Sequence, residues 1–314
     1  MTADELERQV RAQGYACRMV STRRLAELQE DIGTHVRSGA LDPEVVKEHL
    51  GFFEYRPPET LPGAVSIIVV AMPLPQARLV FHWKGSRVPV DVPPAYIHFD
   101  DAGRTMQEIL TTILAPAGYR VAPVMLPEKL LAARSGLAAY GRNNITYVPG
   151  MGSFLRLATF FSDLPLENEH WHEPEMLSRC ESCHSCAHAC PTAAICADRF
   201  LLHTERCIVF HNERPGSIPF PPWIDPSSHR CLVGCLECQR ACPENARFLN
   251  RVEDEGGFTE EETLLIVEGV PLDQVPHRLA AKLQDADLVR HFGILSRNLR
   301  AVLLNPTALA SSSV

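Results

Sequence analysis

The sequence predicts an α+β protein: a layered N-terminal domain, a cysteine-rich module and a short helical tail. Three observations predict it. Helix-like and strand-like patterns alternate over residues 1–165, ten of the eleven cysteines fall within Cys180–Cys242, and amphipathic patterns return after Gly257. The expected boundaries are 1–168, 169–250 and 251–314. At 314 residues the chain is long enough to bury a sizeable core.

Residues 3–13 and 22–38 have helical periodicity, with Leu25, Leu28, Ile32 and Val36 on one face of the second. Asp42-Pro43 pairs an N-cap with proline at the first helical position and opens a helix to about Leu50. The β-branched run Ala64–Met72, bounded by prolines, reads as a buried central strand. Leu79–Trp83 and Arg87–Val92 form a hairpin across Lys84-Gly85-Ser86, and Pro89 confines its second strand to an edge or flap.

Asp100 or Asp101 caps a helix to about Leu114, with Met106, Ile109, Leu110 and Ile113 inward. Tyr119–Val124 is a short strand and Glu128–Ser135 a helix stopped by Gly136. A Gly- and Asn-rich turn over 136–145 leads to a strand at Ser153–Phe161. All of residues 1–165 are expected around one sheet. The tail is helical from Gly257: Thr259 and Glu262 make a capping box, Phe292–Leu304 is the last helix, and Thr307–Val314 is a frayed end.

The cysteines carry the chemistry. Cys180, Cys183, Cys186 and Cys190-Pro191 spell C-x₂-C-x₂-C-x₃-C-P, and Cys235, Cys238 and Cys242-Pro243 a shortened copy. This is the bacterial ferredoxin run, in which three thiolates hold one [4Fe–4S] cube and the fourth reaches the other cube. Two residues between ligands let the backbone curl round a cube edge, and the proline turns the chain away without needing a hydrogen bond. Zinc, the rival for paired C-x₂-C elements, gains nothing from the Cys-Pro ending. Crossed ligation joins Cys242 to Cys180, Cys183 and Cys186, and Cys190 to Cys235 and Cys238. The eighth ligand is then Cys207 or Cys231.

Eleven cysteines without an export-type leader indicate metal or redox chemistry in a cytoplasmic protein, not a disulfide framework. No apolar run is long enough to span a bilayer. A net charge of −8 and a pI of about 5.9 argue against a large nucleic-acid footprint.

The string Gly136-Leu137, Gly141-Arg142-Asn143, Gly152-Ser153-Phe154, Leu157 and Ser162–Leu166, followed by the first cysteine run, Arg206-Cys207-Ile208 and Gly234–Pro243, resembles epoxyqueuosine reductase. Reductive dehalogenases share that core. The resemblance spans roughly residues 60–250. It implies a nitroreductase-like domain binding cobalamin, two [4Fe–4S] clusters feeding it electrons, and a small ferredoxin or flavodoxin as donor. It makes Cys207 the eighth ligand and leaves Cys17, Cys196 and Cys231 as buried apolar residues. It also places Arg142, Asn143, Asn144 and Ser153 at the corrinoid. The alternative for the two asparagines is a turn that satisfies positive φ and local hydrogen bonds.

Two departures stand out. Ala122 occupies the position of the catalytic Asp in the family's Asp-x-x-Pro-x-x-Glu-Lys string, and most of the tRNA-holding C-terminal repeat domain is missing. Both count against action on tRNA, and the substrate is expected to be another organic molecule. Tyr140, beside Arg142, is the candidate proton donor by analogy with the dehalogenases, against a packed tyrosine with its hydroxyl bound elsewhere. His82, His98, Asp100 and Asp101 are further donor candidates, read singly as surface or cap residues. His170 and His172 sit in a charged linker, and His184 and His188 would share a helical face beside the first cube. Rival readings are an electron-transfer protein without substrate chemistry (for example in corrinoid-protein reactivation), a cytoplasmic reductive dehalogenase, and flavin in place of cobalamin.

Overall fold

The computed structural model describes residues 1–305; the expected frayed end at 307–314 lies outside them. The α+β class is observed. Among the described residues nine strands form: β1 Ala16–Ser21, β2 Ser66–Pro73, β3 Gln76–Trp83, β4 Ser86–Val92, β5 Val121–Val124, β6 Ala139–Tyr140, β7 Thr146–Tyr147, β8 Leu155–Ser162 and β9 Val252–Phe258. The chain divides into two compact units. One comprises Met1–Leu74, Phe99–Ala187 and Ile195–Thr204; the other comprises Pro75–His98, His188–Ala194 and the chain from Glu205 on.

In the first unit an antiparallel sheet runs β1-β2-β8-β5. β2 and β8 are buried on both faces, which is why their sequences are continuous apolar runs instead of alternating ones. Ile67, Val69 and Ala71 point into one cluster with Leu28, Leu131 and Phe161. Ile68, Val70 and Met72 point the other way, onto Leu6, Met106 and Leu110. The period of two thus sorts one strand between two helical layers.

The helices start largely where the sequence places them. Thr2 and Glu5 close a capping box on Ala3–Ala12, and Asp42 accepts from the amides of Glu44 and Val45. The helix Phe99–Leu114 begins earlier than expected, so Asp100 and Asp101 lie in its first turn instead of capping it. Val36 is 37% exposed, outside the buried face assigned to it. β1 was not anticipated: Arg18 interrupts its apolar pattern, and that guanidinium is carried out to Glu7.

The second unit corrects the single-sheet expectation. The β3–β4 hairpin belongs to a separate sheet, ordered β4-β3-β9, in which β9 pairs parallel to β3. The hairpin loop is Lys84-Gly85, with φ of 51° and 76°, the positive pair of a type I′ turn. Pro89 does lie in an edge strand. β9 replaces the start of the expected helical tail; its charged, Gly-rich sequence hides a strand whose last residue, Phe258, stacks on Phe81 at 4.9 Å. Three helices follow, Glu260–Glu268, His277–Asp285 and Phe292–Leu303, and Ile266, Leu279 and Leu299 join the sheet's core. The Thr259–Glu262 capping box forms as expected.

Candidate metal centre

In the first unit the cysteine run starts on a 3₁₀ turn, Ser178–Glu181, and continues into the helix Ser185–Ala189. Cys180 and Cys186 are buried and Cys183 half-buried. The Ser185 hydroxyl and amide stabilise the Cys183 thiolate, and its pKa is lowered. His184 precedes the helix, so it does not share a helical face with His188.

In the second unit, Cys190 accepts a hydrogen bond from the amide of Ala194 at 3.3 Å, the backbone-to-sulfur contact a cluster ligand needs. Arg206 donates to the Thr192 carbonyl at 3.3 Å and ties this loop to the turn before Cys207. Cys207 sits at the N-cap of the helix Ile208–Glu213. Burial pushes the Cys207 thiol up to about 11 and the Cys235 thiol up to about 12. The Cys190 charge bears on Cys207, and the charges of Cys207 and Cys190 both bear on Cys235. Cys231 is raised by burial and then by Cys235 alone among the cysteines. It is 6% exposed and bridges Asp91 through its backbone.

Sequence reasoning missed the residues that hold this loop. Asn212 donates to the Gly234 carbonyl at 2.8 Å and accepts from its amide at 3.1 Å. Asn298, on the last helix, donates to the carbonyls of Asn212 and Leu232. Asp91 receives Arg78 and Arg240, the latter at 2.5 Å, and Arg240 lies between Cys238 and Cys242. No spacing rule marks single asparagines whose partners are this distant in sequence.

Among the described residues, no three His, Cys, Asp or Glu side chains converge on one ion-sized point. A cube distributes its thiolates over four irons, so a wider set of sulfurs suits it. The donor set fits: burial pushes the Cys207 and Cys235 thiols up, and iron would hold them as thiolates.

The turn after Gly136 becomes a small β6–β7 hairpin in the first unit. A Cβ at Gly141 would lie 2.5 Å from Asn143 Oδ1 and 2.6 Å from the Tyr147 ring, so only glycine fits. Asn143 donates to the Tyr147 hydroxyl at 3.0 Å and accepts from the Ile145 amide at 3.2 Å. Asn144, at φ 56°, donates to the Phe200 carbonyl at 2.7 Å and accepts from the Leu202 amide at 2.6 Å. Arg142 is 8% exposed and donates to the carbonyls of Cys180, Cys183 and Ala197. The polar groups expected at a corrinoid are therefore engaged by the chain itself. Arg142, Asn143 and Asn144 thus hold the turn and the segment at 197–202, the arrangement that the turn reading implies. Ser153 is buried nearby in sequence, before β8.

Tyr140 packs edge-on against Phe200 at 5.2 Å, and burial, then the Asp31 charge, raises its pKa. Its backbone bonds to Glu175 and Leu177. Ala122 lies in β5 opposite Phe161, within an apolar cluster. His98, at φ 54°, is 3.2 Å from Glu255, and His82 is exposed. His170 and His172 are both exposed, and Nδ1 of His172 is 2.7 Å from the Glu173 carbonyl oxygen. Of the three cysteines left over, Cys17 and Cys231 are buried as expected, whereas Cys196 is only half-buried.

Fold and cysteine geometry define an α+β protein with an iron–sulfur module of the two-cube kind. Residues 179–245 match the 4Fe–4S double cluster binding domain. Beyond the module, the chain is similar to epoxyqueuosine reductases. That of Xanthomonas campestris pv. campestris is 30% identical over 215 residues, covering 63% of this chain and 57% of that protein. That of Salmonella typhimurium is 27% identical over 275 residues, covering 81% and 67%. The chain thus spans little more than half the length of the first of these. A selenomethionine-labelled epoxyqueuosine reductase shares the fold at a TM-score of 0.63 and 20% identity, over 98% of this chain and 83% of that one. An epoxyqueuosine reductase with a tRNA-Tyr epoxyqueuosine-modified stem loop does so equally, at 0.63 and 20%, over 98% and 82%. Among the described residues no helix is long and apolar enough to cross a membrane.

Proposed function

We propose that the protein is a cytoplasmic iron–sulfur reductase of the epoxyqueuosine-reductase type. A small ferredoxin or flavodoxin would supply electrons to two [4Fe–4S] cubes, and the N-terminal domain would hold a corrinoid for reduction of an organic substrate. What supports this reading is the ferredoxin-type backbone contact from the Ala194 amide to Cys190 Sγ at 3.3 Å, with Cys190, Cys207 and Cys235 read as ligands of one cube. Cys238 completes that cube. For the first cube, Cys180, Cys183, Cys186 and Cys242 are assigned from the motif alone. A corrinoid supplies low-valent cobalt as reductant or nucleophile. Arg142, Asn143, Asn144 and Ser153 are the side chains nominated to hold it.

Ala122 supports a substrate other than the tRNA precursor. A carboxyl group at that point of β5 would lie in an apolar cluster, and a methyl group cannot donate a proton. Tyr140, buried against Phe200, remains the candidate acid. The test is optical titration of the reduced, cluster-loaded protein with hydroxocobalamin and, separately, with flavin. A base-off Co(II) spectrum at one equivalent supports the reading. No cobalt spectral change overturns it, in favour of flavin if that binds and of a plain electron carrier if neither does. Reduction of an epoxyqueuosine-modified stem loop by the loaded protein would overturn the substrate assignment.

A further inference from the structure

Three arginines of the first unit are less than one-tenth exposed: Arg134, Arg142 and Arg156. Two have carboxylate partners. Arg134 bonds Asp31 and Glu173, and Arg156 bonds Glu128 at 2.6 Å. Arg142 differs. Its three described acceptors are all neutral carbonyls: Nη2 to Cys180, Nε to Cys183 at 3.4 Å and Nη1 to Ala197 at 3.2 Å. A guanidinium is never deprotonated in a protein, so this is a fixed buried cation with no neutralising partner among those contacts. Two of its acceptors are main-chain atoms of the first cysteine run.

We propose that Arg142 is a positioning residue for the cube held by Cys180, Cys183 and Cys186, and that its charge raises that cube's reduction potential. This rests on the reading of those three cysteines as cube ligands. The fork geometry explains the placement: one planar group fixes two carbonyls three residues apart and a third on the 195–204 segment. Asn144 grips the same segment through Phe200 and Leu202, so turn and segment form one brace. The electrostatics explain the consequence. A cube gains one negative charge on reduction, and a nearby buried cation favours that state more than an exposed one does. Arg179, the other cation acting on Cys183, is exposed and screened. Charge and hydrogen bonding around the sulfurs are among the levers that set such potentials.

The experiment is an EPR-monitored redox titration of the reconstituted full chain, wild type against Arg142→Gln and Arg142→Lys. About eight irons per wild-type chain establishes the two cubes first; about four would sink the ligand reading and leave the charge argument without its object. With eight irons present, Arg142→Gln is expected to move one midpoint to more negative potential and leave the other in place. At fixed poise its reduced-to-oxidised ratio falls about tenfold, equivalent to about 59 mV for one electron. Arg142→Lys, which keeps the charge but not the fork, is expected to hold both midpoints. Unmoved midpoints in Arg142→Gln, or equal shifts in both variants, overturn the proposal. Should Arg142→Gln take up less iron than wild type, Ala197→Asp carries the test. It sets a carboxylate beside the retained arginine; the same single midpoint is expected to fall, and unchanged midpoints overturn the proposal.

Discussion

Asn212 holds Gly234 by both edges of its peptide: the side-chain amide donates to the glycine carbonyl at 2.8 Å, and its oxygen accepts from the glycine amide at 3.1 Å. Both are buried, and Gly234 lies one residue before Cys235. Asn212→Ala leaves both backbone groups unpaired, and a buried unsatisfied group costs about 1–3 kcal/mol. Denaturant unfolding should show a loss on the order of 2–3 kcal/mol, with iron retention reduced. A change below half a kilocalorie would mean that the loop holds itself without the asparagine.

Gly234 is constrained independently. Its φ is 72°, and an added Cβ would stand 2.6 Å from the Tyr96 ring and 2.8 Å from Pro93. Gly234→Ala therefore meets both a strained backbone and a steric clash. We expect poor recovery of folded protein and, in what folds, depletion of one cube measured by iron content. Normal yield and full iron would contradict the stated packing.

The eighth ligand separates two cysteines that the motif leaves equivalent. Cys207 interacts with Cys190 and Cys235, whereas Cys231 feels Cys235 alone among the cysteines. Cys207→Ser should lose a cube, dropping iron by up to half, while Cys231→Ser keeps both. The reverse pattern would show that the C-x₃-C-x₂-C-x₃-C-P reading of the second run is the right one.

His229 gives a pH signature. It is 7% exposed, its ring lies 4.3 Å from that of Phe220, and burial lowers its pKa to about 4. The unfolded chain, at an ordinary value near 6.5, binds the proton first as pH falls. Between those two values the unfolded state holds more protons, so stability declines with falling pH, fully present above about 6.5. Wild type should lose about 1 kcal/mol between pH 7.5 and 5.5 that His229→Phe does not. Parallel pH curves for the two proteins would refute the assignment.

The sequence made the cysteine ligands legible because a cube imposes short, fixed spacings that survive in one dimension. The central strand was legible for a similar reason: Ser66–Met72 is apolar on both faces, and no helix of that length would need to be. β9 was not, since Glu253-Asp254-Glu255-Gly256-Gly257 has low strand propensity and is held in place by β3, about 175 residues earlier. Arg142 shows the limit most sharply. Its position beside a glycine and two asparagines suggests a ligand-binding turn, yet its acceptors are carbonyls at 180, 183 and 197, which no local pattern encodes. Asn212 and Asn298 escaped for the same reason.

The central claim is that this chain carries two electron-relaying cubes. The most direct measurement is iron and sulfide content with low-temperature EPR of the anaerobically reconstituted, dithionite-reduced chain. The account predicts about eight irons and eight sulfides, with two interacting paramagnetic centres. About four irons and one isolated signal would contradict it, and with it the crossed assignment of the eight cysteines.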